Sequence, residues 1–295
     1  MKPAPFEYLR PDSLEACLEI LREHGSEAKL LAGGQSLVPV MNFRLAQPGL
    51  LVDLNRLPEL EYIRQDEGGG LRIGAMTRQS RLETDPSIAR SAPLLAETMP
   101  HIAHQQIRNR GTLGGSLAHA DPAAELPVIA VALEARFLLR AAQRDRWVKA
   151  TDFFQDLFIT ALEPEEVLVE VALPSIGART GWAFMEIAPR QGDYAMMGVA
   201  VLITLNENGE VGAARLVYLN AGVAPLDARA AAQTLVGHAP SAELFEAAGV
   251  IASEKEIEPM GNVHATPQYQ RHLARVLTRR ALDQSVKRAR GELWA

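Results

Sequence analysis

The sequence predicts an α+β protein in two parts. The first part holds two subdomains, one with a small parallel-type sheet and one with a larger mixed or antiparallel sheet; the second is a C-terminal antiparallel sheet with helices. Three observations predict it. Short apolar runs alternate with a helical segment in the first 55 or so residues, a pattern that favours a partly parallel sheet. The middle of the chain sets Gly-rich, charged turns between strand-like runs. Further on, two alternating runs flank Asn208-Gly209, a strong hairpin signal, and the tail has helical spacing.

The elements follow in order. "PDSLEACLEILREHG" reads as a helix capped by Asp12 or Ser13, with Leu14, Cys17, Leu18 and Leu21 on one face and Gly25 just past its end. "AKLLAGG" is a short buried strand running into a turn, and "GLLVDLNRL" is another apolar run. In "DEGGGLRIGAMT" a charged turn leads into strand alternation. The spacing of Leu94, Leu95, Met99, Ile102 and Gln106 predicts a helix from Ala92 to Arg110. "LPVIAVALEARFLLRAA", "RWVKATDFF" and "EVLVEVALP" read mainly as strands, with room for a helix near Pro127. Pro and Gly cluster over residues 173–181, which sets the division at 1–176 and 177–295, with subdomains of about 1–56 and 57–176. Ser241 starts one late helix; Thr266 with Pro267 starts another that runs to Arg290 before Gly291.

Composition narrows the function classes. The net charge of −6 argues against a nucleic-acid binder, which needs a basic face for phosphates. Cys17 is the only cysteine, so the chain builds no internal disulfide, iron–sulfur cluster or cysteine zinc site, and its place on an apolar helical face makes it a buried, inert thiol. "MKPAPFEYLRPDS" lacks the apolar core of a signal peptide and no window approaches a membrane span, so a cytoplasmic location is expected.

Two stretches ask for bare backbone: "LLAGGQSLVPVMNFRL" (30–45) and "TLGGSLAHADP" (112–122). Paired glycines allow positive φ and bring N–H groups close to an anion, and Ser36, Thr112 and Ser116 can add hydroxyl bonds to phosphate oxygens. A side chain at Gly33 or Gly114 would then intrude on the phosphate. Alone, each stretch is equally a tight turn. Neither the G-x-G-x-x-G dinucleotide fingerprint nor a P-loop is present, so a bound dinucleotide needs another architecture. His101 and His104 have helical i, i+3 spacing but no companion ligands, so packing is preferred to a metal. His119 and Asp121 lack a nucleophile, and Asp121-Pro122 reads as a turn. Arg108 and Arg110 are a solvated helix end or a partner contact. Tyr194, on its residue type alone, is a core aromatic.

"KLLAGGQSLVPVMNFRL", "QQIRNRGTLGGSLAHADPAAELP" and "RQGDYAMMGVAV" resemble, in order and spacing, the motifs of the FAD-carrying medium subunits of molybdenum hydroxylases, the carbon monoxide and xanthine dehydrogenase family. The resemblance spans nearly the whole chain and makes its first part a two-subdomain FAD-binding domain. It implies a first FAD loop at Lys29, Leu31, Ala32, Gly33, Gly34, Gln35, Ser36 and Leu37, and a second at Thr112, Gly114, Gly115 and Ser116 closing on the same pyrophosphate. It further implies that Ile102 lines the flavin, Leu162 and Glu125 lie beside the cofactor, and Tyr194 stands against the isoalloxazine face. Some positions depart from the family pattern. Ser116 replaces a usual Asn or Asp, Glu125 an Asp, and Asp156 a Gly. Met185 and Glu186 stand where many members have a lysine that reaches the flavin, which removes a cation near the ring and tends to lower its potential.

The resemblance implies an electron-transfer subunit with no catalytic acid or base and no metal of its own. With a single cysteine, iron–sulfur relays must sit on another chain. The implied partners are a small [2Fe–2S] subunit and a large molybdenum-cofactor subunit, in a dimer of heterotrimers, with electrons leaving to an external acceptor. The cysteine count also disfavours the benzoyl-CoA-reducing branch, whose flavin subunit carries a cluster. Two alternatives belong to other classes: a stand-alone FAD oxidoreductase, and a flavin-free assembly subunit using the fold only for contacts.

Overall fold

The computed structural model describes residues 2–292. Its first sheet is small and wholly parallel: β1 (Glu7–Leu9), β2 (Ala28–Leu31) and β3 (Leu50–Asp53), in the order β1-β3-β2. The helix Leu14–His24 crosses between β1 and β2. Ser13 caps it by accepting from the Ala16 N–H at 3.1 Å, and Leu14, Cys17, Leu18 and Leu21 are its buried face. Every residue of β3 is buried, as befits the central strand of a covered parallel sheet.

A five-stranded antiparallel sheet follows. Its strands are β4 (Ile63–Gln65), β5 (Leu71–Gly74), β6 (Arg136–Ala141) and β7 (Arg144–Lys149), then, after a small hairpin of β8 (Phe154–Asp156) and β9 (Ile159–Thr160), β10 (Val167–Leu173). The order is β4-β5-β10-β6-β7, with every pairing antiparallel. Val167 and Val169 of β10 also pack into the core of the first sheet, so the two sheets share apolar side chains. The third sheet, β11 (Thr180–Ile187), β12 (Met197–Leu205), β13 (Val211–Leu219) and β14 (Leu226–Asp227), is antiparallel throughout. The helix Pro267–Ala289 packs on it, capped by Thr266 with Pro267 in the first helical position.

Two local expectations are corrected and one is met. The helix from Ala92 to Arg110 is broken into Pro93–Thr98, a 3-10 turn Met99–His101 and a short helix Gln105–Arg108. Pro100 removes an N–H from the ladder, and Ala103 turns the chain at φ 45°. The buried Arg108 guanidinium holds that turn, donating to the carbonyls of Ile102 and Ala103 at 2.9 and 3.0 Å while pairing with Glu83. Ile102 therefore stands in extended backbone, not on a helix, and His101 and His104 do not share a helical face. The helix allowed for near Pro127 is present as Glu125–Ala132, and its burial on every side leaves it without an amphipathic period. Finally, the second Gly-Gly pair is inside a helix, Leu113–His119, rather than in a turn.

Candidate functional site

The first glycine stretch leaves β2 and turns into the short helix Leu37–Asn42. Gly34 takes φ 74°, a left-handed conformation that suits glycine. Among the described residues, no protein atom accepts a hydrogen bond from the N–H groups of Gly33, Gly34, Gln35, Ser36 or Leu37. Five successive free amides on partly buried backbone are costly unless water or a ligand takes them. Gln35 turns its side chain back to donate to the Gly33 carbonyl at 3.1 Å, which stiffens the turn.

The second stretch meets the first. A β-carbon on Gly33 would lie 2.4 Å from the Arg110 carbonyl oxygen, and one on Gly115 would lie 3.3 Å from Ala32 Cβ. Glycine at 33 thus permits backbone contact between the stretches; it does not keep room clear for a phosphate. Gly114 is corrected in the same way, since a β-carbon there would strike Ala75 at 2.5 Å. Nor does the second stretch offer a row of amides. Leu113 donates to Thr77, Gly114 to Ala75, and Gly115 and Ser116 to the side chain and carbonyl of Thr112, its N-cap. What it presents is the partly buried Ser116 hydroxyl, while the hydroxyl of the buried Thr112 accepts from Gly115 as the helix cap.

Two residues that sequence reasoning missed tie the stretches together. Asn55 donates to the Ala32 carbonyl at 2.9 Å, and Arg78 donates both to Asn55 Oδ1 and to the Arg110 carbonyl. The guanidinium is half-buried, and desolvation followed by the nearby Arg110 charge pulls its pKa below the usual arginine range. Neither residue belongs to a recognisable motif; only the fold shows that they share a task.

The remaining candidate residues lie on several elements and differ in exposure. Lys29 is exposed; Leu31, Ala32, Ser36 and Leu37 are partly buried. Burial, with Lys29 as a nearby cation, lowers the pKa of His119, which packs against Phe158 of the β8–β9 hairpin at 5.1 Å between ring centres. Leu162, just beyond that hairpin, packs on the core cluster that holds Ile102. The segment around Gly192 lies on the turn at Ala103 and His104: a β-carbon on Gly192 would be 2.8 Å from the His104 ring. That contact sets this C-terminal segment against the turn that follows Ile102. Tyr194 projects from this segment, 68% exposed, with burial of its hydroxyl end and the charges of Asp121 and Glu125 raising its pKa. It is no core aromatic. Glu125, by contrast, is buried at the start of its helix.

Where the lysine of many members would stand, Glu186 is held by His101, Oε1 to Nδ1 at 3.2 Å. Among the described residues no group of three or more His, Cys, Asp or Glu is arranged to hold a metal, and no helix is long and apolar enough to cross a membrane.

The model of the FAD-binding domain in molybdopterin dehydrogenase matches residues 4–176, and that of the CO dehydrogenase flavoprotein C-terminal domain matches residues 182–285. The chain belongs to this family. Members similar to it include subunit alpha of the 6-hydroxypseudooxynicotine dehydrogenase complex of Paenarthrobacter nicotinovorans, 41% identical over 98% of this chain and 97% of that one. The carbon monoxide dehydrogenase medium chain of Hydrogenophaga pseudoflava is 38% identical over 100% and 99%. Among solved structures, carbon monoxide dehydrogenase from Hydrogenophaga pseudoflava superposes with a TM-score of 0.94 over 98% of this chain and 99% of that one, at 39% identity. Quinoline 2-oxidoreductase from Pseudomonas putida 86 gives 0.93 at 37% identity, over 98% and 99%. The family's α+β fold is that of this chain, its cofactor is FAD, and its members are oxidoreductase subunits of multi-subunit dehydrogenases.

Proposed function

We propose that the chain carries electrons through FAD within a molybdenum hydroxylase, from [2Fe–2S] clusters of a small partner to an external acceptor, while a large partner holds the molybdenum cofactor. The arrangement would be a dimer of heterotrimers in the cytoplasm, with residues 1–176 (subdomains about 1–56 and 57–176) as the FAD-binding domain and 177–295 as the C-terminal flavoprotein domain. The substrate is set in the large subunit.

One observation carries the assignment of the site: the five unpartnered amides of Gly33 to Leu37, pinned against the second glycine stretch by Asn55 and Arg78. They fit a pyrophosphate, because converging N–H groups replace the hydration of phosphate oxygens. Ser36, Thr112 and Ser116 add hydroxyls, and the exposed Lys29 adds a positive charge nearby. Ile102 and Leu162 would line the flavin and Glu125 would lie beside it, with Tyr194 covering the ring. FAD, when bound, supplies the conversion between paired and single electrons; the protein contributes position, shielding and tuning.

A visible spectrum of the purified chain, before and after removal of small molecules, tests this. Flavin bands that persist, together with copurification of an iron–sulfur protein, are expected. Folded protein without flavin in either preparation would overturn the reading, and flavin without any iron–sulfur partner would favour a stand-alone oxidoreductase.

A further inference from the structure

One row of side chains crosses the whole five-stranded sheet. In the strand registers Arg64 of β4 is opposite Arg72 of β5, Arg72 is opposite Ala172 of β10, Ala172 is opposite Arg136 of β6, and Arg136 is opposite Lys149 of β7. Directly opposed residues point to the same face, so four cations share a row whose remaining member is a methyl group. Like charges set opposite each other destabilise an antiparallel pair. Carboxylates relieve one end only: Glu170 meets Arg72 at 2.9 Å and Arg64 at 3.8 Å, and Asp66 meets Arg72 at 3.8 Å. At the other end Asp145 is taken by Arg140 and Glu134 by Arg215, and among the described residues Arg136 and Lys149 have no ion pair.

Aromatic rings hold the row in place. Trp147 lies between two of the cations, its ring centre 5.0 Å from the Arg72 guanidinium and 5.3 Å from that of Arg136, and the Tyr62 ring lies 4.0 Å from the guanidinium of Arg64. A guanidinium stacks by its faces and bonds in its plane, so stacking steadies it and leaves its N–H edge for a carboxylate. Arg136 and Lys149 also line a groove of about 480 Å³ that reaches Arg215 of β13 and Arg229, where Glu134 and Asp227 are the facing acids. Cations outnumber carboxylates there too. This positive face stands on a chain whose net charge is −6.

We propose that the row and its groove dock an extended acidic segment of a partner protein, with carboxylates taken by Arg136, Lys149 and the stacked arginines. The dimensions suit such an occupant: five strands put the ends of the row about 19 Å apart, a distance that roughly six extended residues cover. Charge favours it over a nucleic acid. A long polyanion would bring its further phosphates against the negative remainder of the chain, whereas a short segment meets the row alone, since exposed charges more than about 8 Å away are largely screened. Similar proteins are subunits of multi-subunit dehydrogenases, which work against other protein surfaces. The inference does not depend on bound flavin.

The experiment titrates the purified full chain into fluorescein-labelled hexaglutamate at about 0.15 M salt and follows anisotropy. Arg136→Gln/Lys149→Gln removes the two unpaired cations of the row. Arg279→Gln/Arg280→Gln removes the same charge from exposed positions on the helix Pro267–Ala289. Wild type and the helix variant are expected to bind within twofold of each other, and the row variant at least tenfold more weakly. No binding by wild type, or an equal loss in both variants, would overturn the proposal. Tighter binding of a labelled six-nucleotide DNA strand than of the peptide would overturn it in favour of a nucleic acid. Should the row variant not fold, Arg64→Gln at the opposite end, where the side chain is 64% exposed, is read in its place: a loss of at least threefold supports the proposal and an unchanged affinity overturns it.

Discussion

Gly33 and Arg110 touch through their backbones: a β-carbon at 33 would stand 2.4 Å from the Arg110 carbonyl oxygen. The two glycine stretches, about 80 residues apart in the chain, are one structural unit, and the row of free amides from Gly33 to Leu37 depends on that contact.

Gly33→Val should therefore separate the stretches, since neither a carbonyl oxygen nor the Gly111 backbone can yield to a branched side chain. The expected result is folded protein whose flavin-to-protein ratio falls at least tenfold. Retention of a full complement of flavin would show that the junction is not where FAD is gripped.

Arg78→Ala removes donors from both Asn55 and the Arg110 carbonyl. Hydrogen bonds from a charged donor contribute about 1.5–3 kcal/mol each, so FAD binding is expected to weaken by a factor on the order of 10 to 100. Arg78→Lys, which can keep one bond but not the fork, should fall between wild type and Ala. Equilibrium dialysis of FAD against the three proteins makes the comparison, and equal affinities would rule out the tie.

Tyr194 is largely exposed, so Tyr194→Ala should change folding stability by less than about 0.5 kcal/mol. Flavin retention should also persist. What should change is the flavin's reduction potential or its reactivity toward oxygen, followed by spectroelectrochemistry and by the rate of reoxidation in air. If neither moves, Tyr194 has no part in covering the ring.

Glu125 gives a pH prediction that needs no cofactor. Its carboxyl is pushed from an ordinary 4.5 up to about 7 in the folded chain, first by burial and then by Glu186. Between those values the folded state holds a proton that the unfolded state has released, so stability falls as pH rises from 4.5 to 7 and is level above. The loss amounts to roughly 3 kcal/mol. Urea midpoints from pH 4.5 to 8 should show this decline in wild type and a flatter profile in Glu125→Gln. His101 works in the same direction: its pKa is raised by Glu186, so its contribution is full below its ordinary value of 6.5 and is lost as pH climbs through the folded one. A residual slope in Glu125→Gln above pH 6.5 would belong to that pair; parallel profiles for the two proteins would remove Glu125 from the account.

Arg108 is buried, with Glu83 on one side and the carbonyls of Ile102 and Ala103 on the other. Removing it strands a carboxylate and two carbonyls at a turn held at positive φ, which costs about 3–5 kcal/mol. Thermal unfolding of Arg108→Ala should reflect a loss of that size, and a loss below 1 kcal/mol would mean that the turn holds itself.

Much was legible in the amino-acid order because it is decided by neighbours in the chain. Ser13, Ser241 and Thr266 cap helices through bonds to residues three positions on, and Asn208-Gly209 turns a hairpin whose strands it adjoins. The glycine pairs advertised special backbone for the same reason. The chain's order did not disclose why those glycines are needed: Gly33 answers to Arg110 and Gly114 to Ala75, both remote in sequence. Helix Glu125–Ala132 left only a weak signal near Pro127 because it is buried on every side, and the predicted helix over 92–110 failed where Pro100 and Arg108, itself held by the distant Glu83, turned the chain. Local bonding and apolar period, which act over a few residues, determined the elements and the α+β class. Which amides stay free, which cation ties the two stretches, and which carboxylate meets His101 were decided only when folding set distant groups side by side.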